Sequence, residues 1–289
     1  MMVTHSFKGL FVSLFLLTSI PSLACTSVII SGRLTADGRP VMYKHRDTSN
    51  QNNGMEYFRG EKYGFIGLVN KNWRTSPVSS MAGGKAEVWA GRNTAGFCIM
   101  NTATYDLKDD DVPASEMDRE GVVMYRALEI CRTVSDFERM LDTLTRPMGV
   151  EANFGVIDAD GGAAYYEVNN HKWIKFDVNE TSSGYMVVTN FTRTGRKADR
   201  RGEDRYEKAC NILKTTTVPA SEWNHEFLIE NISRSGAPIM RDISASAIIF
   251  EGSEVWASVG KPDKVPCLRY YVSSGNVKSS KKHGRTFLD

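Results

Sequence analysis

CTSVIISGRLTADGRPVMYKHRD, residues 25–47, contains two β-branched, apolar runs separated by a turn sequence. Residues 26–31 (TSVIIS) and 41–43 (VMY) are typical of buried strands. Residues 36–40 (ADGRP) combine glycine and proline, which predicts a turn between them. The two strands are therefore expected to lie close together, with Cys25 held rigidly at the tip of the first one.

The segment before Cys25 differs in composition from the rest of the chain. Residues 10–17 form a short apolar run, and small residues stand at positions −3 and −1 of a cut after Ala24. This is the layout of a secretory signal peptide, and the run is too short to remain as a membrane-spanning helix. We therefore expect residues 1–24 to be removed on export to the periplasm or the cell exterior. Residues 25–289 are then expected to form a single domain that begins with Cys25.

Two other interpretations of Cys25 stay open. A lipoprotein cysteine would be acylated and would tether the protein to a membrane, although such sites usually carry leucine where this chain has Ser22. A disulfide is the second alternative, because export permits disulfides. The chain has five cysteines, so at least one has no partner within the chain. Cys98 and Cys131 lie in apolar runs, as buried cysteines do.

Charge and composition exclude several classes of function. The 289-residue chain has 36 lysines and arginines against 34 acidic residues, a formal net charge of +2. Such a balance gives no reason to expect nucleic acid or an anionic membrane as a partner. No other apolar stretch is long enough to span a membrane, and the histidines do not show metal-binding spacing. We expect neither a metal nor an organic cofactor, and the oligomeric state stays open, with a homo-oligomer as one possibility.

Strand patterns dominate the remainder of the chain. Further strands are predicted at residues 63–69, 87–90, 97–101, 154–158, 163–168, 185–189, 244–250 and 255–259. Helical spacing predicts helices at residues 119–131, 202–214 and 221–232, and Ser135 with Glu138 resembles a capping box at the start of another. This order of elements predicts an α+β fold in which two antiparallel sheets carry helices on their outer faces.

An N-terminal cysteine places two titratable groups on one residue. A thiol has a reference pKa of about 8.5 and an α-amine one of about 7.7–8.0. The amine can therefore take the proton of the thiol, which supplies the adjacent base that a covalent nucleophile needs. None of the five histidines lies in a recognisable catalytic setting. The hypothesis is that Cys25 acts as nucleophile and that its own amine acts as base.

Four segments, in the same order along the chain, resemble one known family. They are residues 25–30 (CTSVII), 37–47 (DGRPVMYKHRD), 91–101 (GRNTAGFCIMN) and 188–191 (VTNF). They resemble the choloylglycine hydrolase and penicillin acylase group of N-terminal-nucleophile hydrolases, together with the related acyl-CoA:6-aminopenicillanic acid acyltransferases, carcinine hydrolases and acid ceramidase-like amidases. The likeness runs from Cys25 to about residue 259. It implies an αββα four-layer sandwich that hydrolyses linear, non-peptide amides without a cofactor.

The resemblance also implies roles for individual residues. Cys25 would attack the amide carbonyl and form a thioester. Asp47 would hold the nucleophilic residue in position. Asn190, together with Asn101, would supply the donors of an oxyanion hole.

The active-site arginine of the family has two candidates here. The family pattern is Arg-x-x-Asp, whereas residues 44–47 read KHRD. Lys44 stands in the arginine's place, and Arg46 would reach it through a local shift; we favour Arg46, because only a guanidinium can make a forked hydrogen bond. A second family arginine corresponds to Arg241 or, almost as well, to Arg234.

These features together predict an exported cysteine amidohydrolase that acts on an N-acyl amine or an N-acyl amino acid. The same thioester would also support acyl transfer to an amine. A membrane-anchored lipoprotein that uses this fold for binding is the alternative from another class, and a dipeptidase-like relative that also begins with Cys-Thr is a third possibility. Residues 50–59 and 105–115 are expected to form loops around the pocket, and their composition does not identify the acyl group or the amine.

Overall fold

The computed structural model describes residues 24–107, 112–195, 200–273 and 276–280, so residues 1–23 of the expected signal peptide lie outside the described residues. The strands are β1 (Ala24–Ile30), β2 (Val41–Asp47), β3 (Asn53–Phe58), β4 (Phe65–Asn70), β5 (Val88–Asn93), β6 (Cys98–Ala103), β7 (Ala152–Ile157), β8 (Ala163–Val168), β9 (Trp173–Asp177), β10 (Tyr185–Val188), β11 (Ser244–Glu251), β12 (Glu254–Val259), β13 (Leu268–Ser273) and β14 (Asn276–Ser280). The α-helices are α1 (Pro77–Met81), α2 (Glu120–Ile130), α3 (Val134–Thr143), α4 (Glu203–Thr215) and α5 (His225–Leu228), and a π-helix (Ile229–Ser233) continues α5.

The strands form two seven-stranded antiparallel sheets. The first has the order β10-β1-β2-β11-β12-β13-β14, and the second runs from β3 to β9 in chain order. β1 and β2 pair as neighbours, with Cys25 opposite Arg46. Because β10 and β11 flank this pair, the chain segments after β10 and before β11 lie close to Cys25. These segments carry Asn190 and Arg241.

Three apolar cores separate the four layers. Ile29, Met42 and Ile248 belong to the core between the two sheets. A second core joins the outer face of the second sheet to α2 and α3, and a third joins the first sheet to α4, α5 and the π-helix. Full burial of one large apolar side chain stabilises a fold by about 1.5–3 kcal/mol. Burial of many such side chains in the three cores therefore stabilises the stacking of the four layers. The predicted α+β, αββα sandwich is confirmed.

The start of α3 differs from the sequence prediction. The capping box consists of Thr133 and Asp136, not Ser135 and Glu138. Thr133 Oγ1 accepts the backbone N–H of Asp136 at 3.1 Å, and the Asp136 carboxylate accepts the N–H of Thr133 at 2.9 Å. The spacing of the motif is the predicted one, but it begins two residues earlier, because an aspartate can fill the position that was expected to need glutamate.

Four strands escaped prediction: β3, β9, β13 and β14. β3 lies within residues 50–59, so the expectation that this whole segment forms a pocket loop was wrong. β3 and β9 are the edge strands of the second sheet, and their mixed polar sequences show no clean alternation. An edge strand needs only one well-packed neighbour, which weakens the pattern that reveals it.

Within the described residues, no helix combines the length and the apolar character needed to cross a membrane. No group of three or more His, Cys, Asp or Glu residues in the described part of the chain is arranged to hold a metal ion.

Candidate active site

Strand alternation determines which side chains of β1 and β2 project between the sheets. Cys25 is the second residue of β1 and pairs with Arg46 of β2. Met42 lies in the core between the sheets, and Lys44 and Arg46 follow it at intervals of two. Because side chains alternate along a strand, Cys25, Lys44 and Arg46 all project toward this inter-sheet side.

A cavity of about 380 Å³ lies beside Cys25. Five of the seven predicted site residues line it: Cys25, Lys44, Arg46, Asp47 and Asn101. Cys25 itself is only 6% exposed, so a molecule has to enter the cavity to reach the thiol. From the predicted pocket loop at residues 105–115, Tyr105 lines the cavity, and residues 108–111 lie outside the described part of the chain.

Asn190 holds the backbone nitrogen of Cys25. The Cys25 N–H donates to Asn190 Oδ1 at 2.7 Å, and Asn190 Nδ2 donates to the Ala103 carbonyl at 2.6 Å. The side-chain oxygen of Asn190 therefore faces Cys25, and its amide nitrogen donates to Ala103 on the other side. This geometry favours positioning of the Cys25 nitrogen by Asn190 over donation to an oxyanion, the role expected from the resemblance.

Arg205 is a site residue that sequence reasoning missed. It lies in α4 and is 3% exposed. Its guanidinium donates to the Cys25 carbonyl and to Asn190 Oδ1, the latter at 2.9 Å. Burial, and next the nearby Arg241, lower the pKa of Arg205. Arg205 thus contacts both Cys25 and the asparagine that holds the Cys25 nitrogen.

Lys44 and Asn101 meet at the cavity wall. The Lys44 ammonium donates to Asn101 Oδ1 at 2.9 Å and to the Trp89 carbonyl at 2.6 Å. Since the oxygen of Asn101 accepts from Lys44, its Nδ2 group is available to donate into the cavity, as an oxyanion hole requires. Burial lowers the pKa of Lys44 to about 8, with Arg46 adding to the decrease and Cys25 opposing it. At neutral pH the ammonium therefore keeps its charge.

The guanidinium of Arg46 is turned to a different set of partners. It donates to Asn53 Oδ1 and, at 3.2 Å, to Asn70 Oδ1, and its Cζ lies 4.9 Å from the centre of the Trp89 ring. Burial lowers its pKa to about 10, which leaves it charged at neutral pH. Both predicted cations thus line the cavity, but Lys44, not the favoured Arg46, contacts Asn101.

Asp47 and Arg241 form an ion pair beside this hairpin. Arg241 donates to Asp47 Oδ2 from Nη2 at 2.5 Å and from Nε at 3.0 Å, and the Ser244 hydroxyl donates to Asp47 Oδ1 at 2.7 Å. Burial alone would raise the pKa of Asp47, but the hydrogen bond and charge of His45, together with Arg241 and Ser244, hold it below its usual value. The assignment of Arg241 is favoured over Arg234, whose guanidinium contacts Glu230.

His45 belongs to a buried polar chain behind the hairpin. Its Nε2 lies 2.9 Å from Ser244 Oγ and 3.2 Å from Asp47 Oδ1. Its Nδ1 lies 3.3 Å from Ser233 Oγ, which in turn lies 2.8 Å from the Tyr43 hydroxyl. His45 is fully buried and, by strand alternation, points away from the Cys25 side of β2. His45 therefore contacts Asp47 and helps to fix its orientation.

Carboxylates form the other part of the cavity wall. Glu87 precedes β5, and Glu120 is the first residue of α2. Burial raises the pKa of Glu120 to about 7, and the charges of Asp118 and Glu151 add to this effect. Nothing in the sequence pattern had indicated an acidic wall, because the residues come from separate segments.

None of the five cysteines, all of which lie in the described residues, is part of a disulfide. Cys98 and Cys131 are fully buried among apolar side chains, as predicted. The Cys25 thiol is the one among them that lines this cavity.

Comparison with known proteins yields structural likenesses only. No protein-family model matches the sequence, and no curated protein gives a significant match. An N-acylethanolamine-hydrolyzing acid amidase ortholog from Caenorhabditis elegans has a TM-score of 0.58 at 14% identity, over 78% of this chain and 92% of that one. A variant of conjugated bile acid hydrolase from Clostridium perfringens has a TM-score of 0.54 at 9% identity, over 92% and 100% of the two chains.

Penicillin V acylase from Agrobacterium tumefaciens has a TM-score of 0.50 at 12% identity and covers 89% of this chain and 98% of that one. By their names, all three proteins cleave amides. At such low identities the likeness concerns the fold, and it confirms the architecture that the sequence resemblance implied.

Proposed function

We propose that this protein is an exported amidohydrolase that cleaves a linear, non-peptide C–N amide bond through a thioester on Cys25. The observation that carries the proposal is the setting of one residue. The nitrogen of Cys25 is held by Asn190 Oδ1 at 2.7 Å, while its side chain lines a cavity together with Lys44 and Asn101. A nucleophile, a positioned nitrogen and an available amide donor thus converge, as acyl transfer requires.

Removal of the preceding segment would complete this arrangement. Ala24 is 1% exposed and continues β1, so in the described chain the nitrogen of Cys25 is a peptide nitrogen. A cut between Ala24 and Cys25 would turn the same atom into an α-amine. Export followed by signal-peptide removal is the route that we propose for this cut.

The reaction then follows in two balanced steps. The α-amine takes the thiol proton, the sulfur of Cys25 bonds to the substrate carbonyl carbon, and Asn101 Nδ2 donates to the oxyanion. The C–N bond breaks as the α-ammonium returns its proton to the leaving nitrogen, which leaves a thioester. Water then attacks the thioester, and its proton passes through the amine to the sulfur. A carboxylic acid and an amine are the products, and the thiol is restored.

The structural likenesses support this reaction class. The names of the three solved proteins include hydrolysis of N-acylethanolamines and of conjugated bile acids, both of which are N-acyl compounds. For this chain we propose an N-acyl amine or an N-acyl amino acid as substrate. Interception of the thioester by an amine would make the same site an acyltransferase.

The test is mass spectrometry of the secreted, processed protein. Its intact mass should correspond to a chain that begins at Cys25, with no lipid attached. Incubation with a panel of N-acyl amines and N-acyl amino acids, followed by acid quenching, should show the mass of one acyl group added at Cys25.

Cys25→Ala should lose the adduct and about 10⁴-fold or more of the turnover, the scale found when other covalent hydrolases lose their nucleophile. Cys210→Ala, which removes a thiol on α4, is the matched control and should keep both. A diacylglyceryl mass on Cys25 would contradict the enzyme and identify a lipid anchor.

A further inference from the structure

Asn190, which holds the Cys25 nitrogen, lies outside any strand. β10 ends at Val188, so the pairing of β10 with β1 stops two residues before Asn190. The position of the Asn190 side chain therefore depends on contacts with other parts of the molecule. Arg205 and Ala103 contact the side chain itself, and a separate group of residues contacts the backbone on either side of it.

Two side chains of the second sheet hydrogen-bond to this backbone. Nδ2 of Asn153, in β7, donates to the Thr189 carbonyl at 3.3 Å and to the Phe191 carbonyl at 3.2 Å. The hydroxyl of Thr102, in β6, donates to the same Thr189 carbonyl at 2.5 Å and accepts from Asn153 Nδ2 at 3.1 Å. One amide group thus bridges the carbonyls on both sides of Asn190.

These hydrogen bonds are shielded from solvent. Thr102 and Thr189 are fully buried, and Asn153 is 2% exposed. Because the Thr189 and Phe191 carbonyls can only accept, the group that contacts them is the NH₂ of Asn153 and not its oxygen. A buried polar group that loses its partner is left unsatisfied, which costs free energy. The contacts therefore favour a single arrangement of the backbone at residues 189–191.

Strand β6 contacts Asn190 a second time. Asn190 Nδ2 donates at 2.6 Å to the carbonyl of Ala103, which follows Thr102 in β6. The second sheet thus contacts both the side chain of Asn190 and the backbone that flanks it. Asn190 Oδ1 in turn accepts from the nitrogen of Cys25, in the first sheet, at 2.7 Å. The two sheets are therefore connected at the residue that positions the nitrogen of the nucleophile.

A second inter-sheet hydrogen bond lies in the same region and serves as a comparison. The hydroxyl of Tyr165, in β8, donates to Ser27 Oγ at 3.1 Å, and Ser27 Oγ donates to the Val188 carbonyl at 2.9 Å. Tyr165 and Ser27 are also fully buried, at 1% and 0% exposure. Among the described residues, neither hydroxyl hydrogen-bonds to residues 189–191. Loss of the Tyr165 hydroxyl should therefore reduce stability without displacing Asn190.

We propose that Asn153 and Thr102 are positioning residues for the reaction: by holding the backbone on both sides of Asn190, they keep the amine of Cys25 beside its thiol. This inference rests on the proposed function and adds two residues that act through Asn190. Neither is among the described residues that line the cavity beside Cys25, so their loss should reduce kcat and leave KM nearly unchanged. A misplacement of about 1 Å can reduce a rate by about 10²-fold.

Matched variants test the proposal by steady-state kinetics. Thr102→Val keeps the shape of the side chain but removes the hydroxyl, and Asn153→Ala removes the amide. Both should reduce kcat by about 10-fold or more and change KM by less than about two-fold. Thr102→Ser, which restores a hydroxyl, should recover most of the loss. Tyr165→Phe should keep the kcat of the wild-type protein, although its urea midpoint of unfolding should decrease as theirs do.

A purely structural role gives a different result. Normal kcat in folded Thr102→Val and Asn153→Ala, or an equal loss of kcat in Tyr165→Phe, would overturn the proposal. The two positions are independent, so one variant that fails to fold does not remove the test.

Alkylation of Cys25 provides a second readout, which requires no turnover. Protein that begins at Cys25, verified by intact mass, is treated with iodoacetamide over a range of pH, and the mass of its N-terminal peptide reports the modification. If Asn190 is displaced, its Oδ1 no longer accepts from the α-ammonium, so the ammonium–thiolate pair of Cys25 is less stable. The midpoint of the alkylation profile should therefore move to higher pH by about 0.5 unit or more in Thr102→Val and Asn153→Ala.

This readout separates failure of the inference from failure of the proposed function. The substitutions leave in place the cations whose charges act on Cys25, which are Lys44, Arg46 and Arg205, and Tyr165→Phe should keep the midpoint of the wild-type protein. A shifted midpoint without hydrolysis of any N-acyl substrate by the wild-type protein would support the positioning role while contradicting the amidohydrolase. Coinciding midpoints in all folded variants would overturn the positioning role, even if the wild-type protein forms the acyl adduct.

Discussion

The two faces of β2 differ in what they contact. Lys44 and Arg46 project between the sheets and line the cavity beside Cys25. His45 and Asp47, which alternate with them, hydrogen-bond to Ser244 on the other side, where Asp47 also pairs with Arg241, although Asp47 borders the cavity as well. The same strand therefore carries charged side chains on its cavity face and buried, hydrogen-bonded side chains on its opposite, braced face. A slip of one residue in the register would exchange the two sets, so the pairing of β1 with β2 is itself a determinant of the site.

This comparison predicts a division of effects. Substitutions on the cavity face should reduce turnover more than stability, and substitutions on the braced face should reduce stability at least as much. Each of the following variants tests one side of that division.

The largest effect is expected for Asn101→Ala at the cavity. Loss of one oxyanion donor typically reduces kcat by about 10²–10³-fold. Steady-state kinetics should show this loss in kcat, with a far smaller change in the urea midpoint of unfolding. Asn211→Ala, on the exposed side of α4, is the control. An Asn101→Ala enzyme with normal kcat would remove Asn101 from the proposed mechanism.

Asp47→Ala should show the opposite balance. The Asp47 side chain is fully buried and accepts hydrogen bonds from Arg241 and Ser244, and a hydrogen bond to a charged group contributes about 1.5–3 kcal/mol. Urea denaturation should report this decrease in the free energy of unfolding. Lys44→Met should cost less, because it removes a buried charge that forms no ion pair among the described residues. Equal decreases in the free energy of unfolding for Asp47→Ala and Lys44→Met would contradict the distinction between the two faces of β2.

Lys44 should determine the alkaline limb of the pH profile. Its pKa is lowered to about 8, so the ammonium is charged below that pH and loses its charge as pH rises through it. The rate should therefore fall by up to about 10-fold per pH unit above pH 8, as the charged fraction of Lys44 next to Asn101 decreases. In Lys44→Met the rate at neutral pH should be lower and this falling limb should be absent. A falling limb that persists in the variant would assign it to another group.

The smallest effect is expected at the far end of the braced face. The Ser233 hydroxyl lies between Tyr43 and His45, and Ser233→Ala should cost about 1 kcal/mol of stability, the usual scale of one hydrogen bond. Denaturation and kcat measured on the same preparation would show a small shift in the first and none in the second. A larger loss in kcat than in stability would indicate that the hydrogen-bonded series Tyr43, Ser233 and His45 contributes to catalysis.

The hairpin and several residues that border the cavity were predictable because their sequence signals are local. Alternation of β-branched residues around residues 25–47 determines both strands, and Asp47, Asn101 and Asn190 stand in motifs with a recognisable order. The edge strands β3 and β9 were missed because their sequences mix polar and apolar residues without a period.

Arg205 could not be found in the same way. It reaches Cys25 across 180 residues of chain, and the surrounding sequence, EDRYEK at residues 203–208, reads as an exposed charged helix start. The acidic wall was hidden for a similar reason, since Glu87 and Glu120 lie in different elements and meet only after folding. Long-range juxtaposition of charged side chains leaves no periodic signal in the sequence.

The central claim is that the nitrogen and the sulfur of Cys25 act together once Cys25 is the first residue. Protein that begins at Cys25 and protein that retains Ala24 by design should be compared in one assay of thioester formation, with both starts verified by intact mass. We expect the acyl adduct and turnover only with the free amine, and a decrease of at least about 10³-fold in turnover with Ala24 retained, because the general base is then a peptide nitrogen. Equal turnover by the two forms would contradict the account.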